Sequence, residues 1–405
     1  MKPDSMRLID YYAGVPICFS LHILSKLFSI FPRTKKEFPK RVLLIEISEM
    51  GSAILVDPAM QKLKKETNAE LFFLIFKKNA PSLHILQTVK KENILTIRDN
   101  NFFTIVTDVL KFIWQARSYN FDTCIDLELF SRFTSILTFF SGATTKVGFY
   151  KYHSEGLYRG EFLTHKVQYN AHIHIAKNFL ALVNSLLSKN VEVPYSKTPI
   201  LDEEIKLNKV TISADSKKIV LEKIKKFVPS FSEKKNSIVL INANASDLLP
   251  QRRWPYENYS SLIKMILSKT KNDFVILTGS PNEKATLDSI SKEVNSERCI
   301  NFAGGVEFHE LTTLYSLSKL MISNDSGPPH FASVTNLPTF VLFGPETPSL
   351  YGSLGNFFPI YAGLPCSPCV SAMNHRKTSC VDNICLKIIT PMQVFKTIEK
   401  ELLKK

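Results

Sequence analysis

Short apolar runs alternate with stretches of helical spacing, and this alternation occurs in two separate series along the chain. In the first series, residues 41–48 (RVLLIEIS), 70–76 (ELFFLIF), 94–97 (ILTI), 123–127 (TCIDL) and 146–149 (KVGF) read as strands. Residues 53–65, 103–117 and 129–141 carry the helical pattern between them. Strands that are apolar throughout, rather than at every second position, are buried on both faces, as in a parallel sheet covered by helices. Parallel neighbours need a crossover, so the alternation predicts βαβ units. The second series has strands at 237–241 (SIVLI), 274–277 (FVIL), 299–302, 320–323 and 339–343 (TFVLF). Helices are expected at 256–270, after 283, at 310–318 and at 329–335.

The expected class is therefore α/β, with two doubly wound domains. An apolar and basic N-terminal segment occupies 1–40, the first domain 41–200, a charged linker 201–235 and the second domain 236–390. A C-terminal helix covers 391–405. A chain of 405 residues accommodates two domains of this size. In such sheets ligands bind beyond the carboxyl ends of the strands, so the loops there are where chemistry is expected.

The sharpest of these loops lies in 323–344, SNDSGPPHFASVTNLPTFVLFG. A strand ends at Asp325, Ser326-Gly327 turns the chain, and Pro328-Pro329 opens a helix. Proline suits a first helical turn, where its missing N–H is not needed. The free amides there, with Ser326 and Gly327, predict an anion site, to which His330 adds a donor. A helix cap with a satisfied histidine is the plainer alternative for any one of these residues. Residues 246–255 (SDLLPQRRWP) follow another strand of the same sheet and place Arg252 and Arg253 beside Trp254. Guanidinium groups suit bidentate phosphate recognition. In 278–283 (TGSPNE), Glu283 is a candidate to accept hydrogen bonds from ribose hydroxyls, or simply an acid in a first helical turn.

The chain carries 51 Lys+Arg against 37 Asp+Glu, a formal charge of +14. That surplus points to an anionic partner: nucleic acid, an acidic membrane or a phosphorylated small molecule. No basic stripe with interleaved aromatics and no nucleic-acid module is found, which sets nucleic acid aside. Residues 11–32 are largely apolar and run into Arg33, Lys35 and Lys36. Pro16, His22 and Lys26 interrupt them, so an interfacial helix or one packed on the protein's own core fits better than a spanning one. No secretory cleavage site follows, and a reducing cytoplasm is expected.

Seven cysteines are too few and too odd in number for a disulfide scaffold. Four of them, Cys366, Cys369, Cys380 and Cys385, fall within twenty residues. Their spacing leaves a structural zinc, disulfides and plain thiols as alternatives.

The segment NDSGPPHFASVTNLPTFVLFGPETP resembles the signature of glycosyltransferase family 9, the bacterial heptosyltransferases. LLIEISEMGSAILVDPAMQKLK, IDLELFSRF, QRRWP and TGSPNE support it, so the resemblance runs from Arg41 to the C-terminus. It implies a GT-B fold, with two facing Rossmann-like domains and the active site in the interdomain cleft. It further implies an inverting transferase that needs no cofactor for catalysis. The donor would be a nucleotide-sugar, ADP-heptose in the family. The acceptor would be a lipid-linked saccharide of the lipopolysaccharide core, at the cytoplasmic face of the inner membrane, with an anionic membrane surface as a further partner. Carried onto this sequence, Arg252, Arg253, Glu283, Asp325, Ser326, Gly327 and His330 would bind the donor. A similar cysteine group in some family tails makes the cluster here look structural. The chain departs from the family in its first strand–helix turn. Heptosyltransferases usually have Gly-Asp there, with the aspartate as favoured base, whereas this chain has Gly51-Ser52.

An inverting transfer needs a carboxylate to take the acceptor's proton as the new bond forms. Glu49 and Glu128, both at strand ends, are the candidates, Glu49 first; Asp57 is more remote. Ser52, Lys151, His153 and Arg159 complete the expected acceptor side. The last three lie in an aromatic, polar stretch, 148–160 (GFYKYHSEGLYRG). Another GT-B activity, such as a nucleotide-sugar epimerase, and a catalytically silent nucleotide-sugar binder are the competing readings.

Overall fold

The computed structural model describes residues 3–28, 39–47, 49–151, 157–189, 194, 197–371, 374 and 376–404. The chain divides into two units, Met1–Lys206 and Leu207–Lys405. The divide falls inside the stretch expected to be a linker.

The first unit holds strands β1 (Arg41–Ile45), β2 (Glu70–Phe76), β3 (Ile94–Ile97), β4 (Thr123–Asp126), β5 (Thr145–Phe149) and β6 (His165–Val167). The second holds β7 (Ser237–Asn242), β8 (Asp273–Leu277), β9 (Cys299–Asn301), β10 (Leu320–Asn324), β11 (Thr339–Phe343) and β12 (Phe357–Tyr361). The sheets are ordered β3-β2-β1-β4-β5-β6 and β12-β11-β10-β7-β8-β9. Every neighbouring pair is parallel. Both sheets thus follow one doubly wound plan, in which the order reverses between β1 and β4, and again between β7 and β10. At each reversal the following loops diverge and leave a crevice at the carboxyl ends.

The cores follow the patterns that predicted them. In the second unit, Tyr259, Leu262, Ile263 and Ile266 of helix Tyr256–Lys269 lie on one face at helical spacing and bury against Val239, Ile241 and Val275. In the first, Phe112 and Ala116 of helix Phe102–Tyr119 close over Leu43, Phe72 and Leu74.

Where expectation and structure differ, the local chemistry explains it. The single helix expected over 53–65 is two, Met50–Leu55 and Asp57–Thr67. Pro58 cannot donate to the preceding turn, but it suits the start of a new one. Helix Ala214–Phe227 lies inside the expected linker, and only Val220 and Ile224 of it are buried, a thin apolar signal among lysines. Strands β6 and β12 are edges. One is only three residues long, and the other is half-buried and holds Pro359, which a central strand would not tolerate.

The N-terminal apolar segment forms two helices, Pro3–Tyr12 and Gly14–Phe28. They pack on helix Arg132–Phe140. Pro16 lies in the first turn of its helix and so does not break it. Cys18 and Leu21 are buried, and Asp10 pairs with Arg132 at 3.1 Å while accepting the Phe133 N–H at 2.9 Å. A Cβ on Gly14 would come within 2.9 Å of the Arg132 side chain, so this close approach requires glycine. Arg33, Lys35 and Lys36 lie outside the described residues.

Candidate functional site

The richer site is at the β7/β10 reversal of the second unit. Asn324, the last residue of β10, is fully buried and ties the two diverging loops together. Its Oδ1 accepts the Trp254 N–H at 3.1 Å and the Tyr259 hydroxyl at 3.0 Å. Its Nδ2 donates to the Ala243 carbonyl at 2.8 Å. Trp254 is itself locked, its indole N–H donating to the Ile389 carbonyl at 2.9 Å.

On this frame sit three ionisable side chains. Asp325 is buried directly after β10, and Arg252 reaches it from the β7 loop, with Nη1 at 3.6 Å from Oδ2 and 3.5 Å from the Asp325 carbonyl. Glu346, buried after β11, lies 3.6 Å from Arg376. Among the described residues, four buried atoms in these loops have no hydrogen-bond partner: Asn244 Nδ2, Arg252 Nε, Asp325 Oδ2 and Glu346 Oε1. Two are donors and two acceptors, a set that suits a ligand carrying both phosphate and hydroxyl groups.

Burial pushes both carboxyls up. Glu346 rises to about 8, with the neighbouring Asp325 charge adding to the effect and Arg252 opposing it. Asp325 is raised by burial and held down by Arg252. Burial thus favours the protonated form of Glu346, which would spare an anion site a second negative charge. The folded state then holds a proton that the unfolded chain has released. This contribution to stability is full below the ordinary glutamate range and falls as pH rises towards 8. Glu346→Gln should flatten the decline in melting temperature between about pH 5 and pH 8. An unchanged slope in thermal denaturation would show that another group carries the proton.

The loop expected to bind an anion folds as a strand end, a turn and a short helix. Helix Gly327–Ala332 starts at Ser326, whose backbone is extended, and both Pro328 and Pro329 lie in its first turn. The two prolines remove two amides, which leaves fewer first-turn donors than such a helix usually offers. The Ser326 hydroxyl turns inward to the Asn324 carbonyl at 3.1 Å. His330 is buried, with Nδ1 at 3.5 Å from the Ser353 hydroxyl.

Two expected donor residues are engaged elsewhere. Arg253 donates twice to the Ala245 carbonyl, at 2.7 and 3.0 Å, and pairs with Asp247, so it fastens its own loop. Glu283 accepts the Ser280 N–H at 2.6 Å and forms a capping box, the plainer of its two readings.

In the first unit the loops after β1 and β4 meet at the corresponding reversal. Glu128 accepts the Ile47 N–H at 3.2 Å, which joins them directly. Glu49 directly precedes helix Met50–Leu55 and accepts the Ser52 hydroxyl at 3.0 Å. Asp126 is buried and raised to about 6, chiefly by burial, with Arg159 opposing and Glu128 adding. Arg159 departs from the acceptor role expected of it. Its guanidinium is buried, pairs with Asp126, and donates to the Glu128 carbonyl at 2.6 Å and the Ser131 carbonyl at 3.0 Å. It braces the β4 loop from within. Lys151 lies over the Tyr158 ring at 5.6 Å, and His153 lies outside the described residues. Asp57 is buried against Thr88 and raised to about 6 by burial.

The four clustered cysteines are free thiols: Cys366 exposed, Cys369 and Cys380 half-buried, Cys385 buried. Among the described residues no group of three or more His, Cys, Asp or Glu side chains is gathered to hold a metal.

Residues 109–379 match the pattern described as glycosyltransferase family 9 (heptosyltransferase). Lipopolysaccharide heptosyltransferase 2 of Escherichia coli is 31% identical over 102 residues, 24% of this chain and 29% of that protein. The chain is thus matched to less than a third of that relative's length. Lipopolysaccharide heptosyltransferase 1 of Campylobacter coli is 23% identical over 315 residues, 76% of this chain and 85% of that protein. Among solved structures, E. coli ADP-heptose lps heptosyltransferase II superposes with a TM-score of 0.67 at 19% identity, covering 90% of this chain and 98% of that one. A family 9 glycosyl transferase from Veillonella parvula gives 0.68 at 17%, with the same coverage. These likenesses show the GT-B fold expected from the sequence.

Proposed function

Because the chain belongs to glycosyltransferase family 9, we propose that it is an inverting transferase that moves a sugar from a nucleotide-sugar to a saccharide acceptor. ADP-heptose is the donor this reading favours, since two relatives are named as lipopolysaccharide heptosyltransferases and one solved structure as an ADP-heptose enzyme. The acceptor is a lipid-linked saccharide of the lipopolysaccharide core or a related envelope glycan, met at the cytoplasmic face of the inner membrane.

The observation that carries the reading is the β7/β10 cluster. Arg252 and the Ser326 and Gly327 amides offer positive charge and donors to a diphosphate, which leaves as an anion and needs no protonating acid. Asp325, and Glu346 in its neutral form, offer hydrogen bonds to hydroxyls. In the first unit Glu49 accepts the acceptor's proton. The Ser52 hydroxyl points at Glu49, so a carboxylate is restored to the turn where the family keeps its aspartate. This favours an active enzyme over a silent binder.

Calorimetric titration with ADP-, UDP- and GDP-sugars tests the donor site. ADP-heptose should bind tightest, and Asp325→Ala should weaken it by about tenfold or more, the value of one or two lost charge-assisted contacts. Unchanged affinity in that variant would mean the donor lies elsewhere.

A further inference from the structure

We propose that the N-terminal helix pair and the outer face of helix Phe102–Tyr119 form one platform that lies on an anionic bilayer. The inference adds a surface to the proposed membrane-side function and takes its biological sense from that reading. It is tested without donor or acceptor, so either can fail alone.

Both parts flank the same helix, Arg132–Phe140. On helix Phe102–Tyr119, the side facing away from the core carries Phe103, Val106, Leu110 and Trp114, at spacings of three, four and four. Phe103 is 80% exposed and Trp114 72%. A soluble helix ordinarily presents polar residues on this side; here both sides of the helix are apolar. On the N-terminal pair, Leu8, Ile9, Tyr11, Tyr12, Phe19 and Leu24 are likewise exposed. Exposed aromatic rings and leucines are the composition of an interfacial segment.

Charge selects a bilayer over a second copy of this chain. Helix Phe102–Tyr119 has one acid, Asp108, which is buried and paired with Arg98 at 2.7 Å. Asp10 is likewise paired, with Arg132. Lys111 and Arg117 are exposed on the aromatic helix, and Lys26 ends the hairpin. The surface is thus apolar with a basic border, and these two acids are neutralised within it. Two such surfaces would repel, whereas an anionic headgroup layer is attracted. Residues Ser5–Leu27 are long and apolar enough to cross a membrane. Their packing through Cys18, Leu21 and Asp10 instead holds them along the surface of the unit.

The chain has two tryptophans, and Trp254 is fully buried, so a spectral change on lipid binding reports Trp114. With the full chain, phosphatidylglycerol/phosphatidylcholine vesicles should co-sediment the protein and shift its Trp emission to the blue. Phosphatidylcholine alone should do so far less. Phe103→Ser with Leu110→Ser should weaken partitioning by about tenfold or more, with the melting temperature held because both side chains are exposed. Leu8→Ser with Leu24→Ser should do the same from the hairpin. No co-sedimentation, or equal binding to neutral vesicles, overturns the proposal. So does a blue shift without lipid that grows with protein concentration, which would make the face a self-association surface. Resistance to carbonate extraction from membranes would show that the hairpin spans, and would overturn surface docking.

Discussion

Asn324→Leu should cost the second unit about 3–5 kcal/mol, because three buried polar groups lose their partner at once and each such loss costs roughly 1–3 kcal/mol, partly relieved by relaxation. The Trp254 N–H, the Tyr259 hydroxyl and the Ala243 carbonyl all converge on this one amide. Leucine keeps the branched shape of asparagine in a larger volume, so some overpacking adds to the loss of the hydrogen bonds. Urea denaturation of the full chain in a Trp114→Phe background, followed by Trp254 emission, would read it. A loss below about 1 kcal/mol would mean that the loops hold their places without Asn324. Asn324→Asp gives a second test. The ionised carboxylate keeps two acceptor bonds but faces the Ala243 carbonyl with no proton. Burial raises its pKa, so stability should return as pH falls and the carboxyl regains a donor.

The second large effect is on turnover. Glu49→Gln should lower kcat by about 10²–10⁴-fold, the range that general-base catalysis contributes, and leave donor affinity unchanged. Glu49 is favoured over Glu128 for a reason the structure supplies. One bond to Glu49 comes from the Ser52 hydroxyl, a rotor that can swing away when an acceptor arrives. Glu128 accepts a backbone N–H, and Arg159 holds its carbonyl. Glu128→Gln should therefore disturb the joined β1 and β4 loops, which would raise KM and lower the melting temperature. If Glu49→Gln kept full kcat while Glu128→Gln lost it with an unchanged melting temperature, the roles would be reversed. Full activity in both would remove the base from this turn altogether.

The residues proposed for the donor side differ in how far sequence could place them. Asp325, Ser326, Gly327 and His330 were legible because one short segment carries strand end, turn and helix start. Arg252 was legible as a cation at a strand's carboxyl end. Arg253, its neighbour, reads identically in sequence, and only its bonds to Ala245 and Asp247 separate the two. Glu346 directly follows Gly344-Pro345, inside a segment already singled out. Nothing local marks it, because its raised pKa comes from burial and from Asp325, more than twenty residues away. The same holds for Asn324, whose three partners come from the β7 loop and helix Tyr256–Lys269.

What the sequence determined by itself is the alternation of strands and helices, hence two parallel sheets, and the family signature after β10. These depend on periodicity and on residues close along the chain, where backbone sterics and burial pattern act locally. It left open whether the N-terminal apolar run packs on the protein or lies on a membrane. The tertiary structure shows that it packs along one stripe and still leaves an apolar face outward. The structure alone shows which charged side chains are buried beside Asp325 and which are bonded within their own loops. That distinction depends on burial and on partners far apart in sequence, and a linear pattern carries neither.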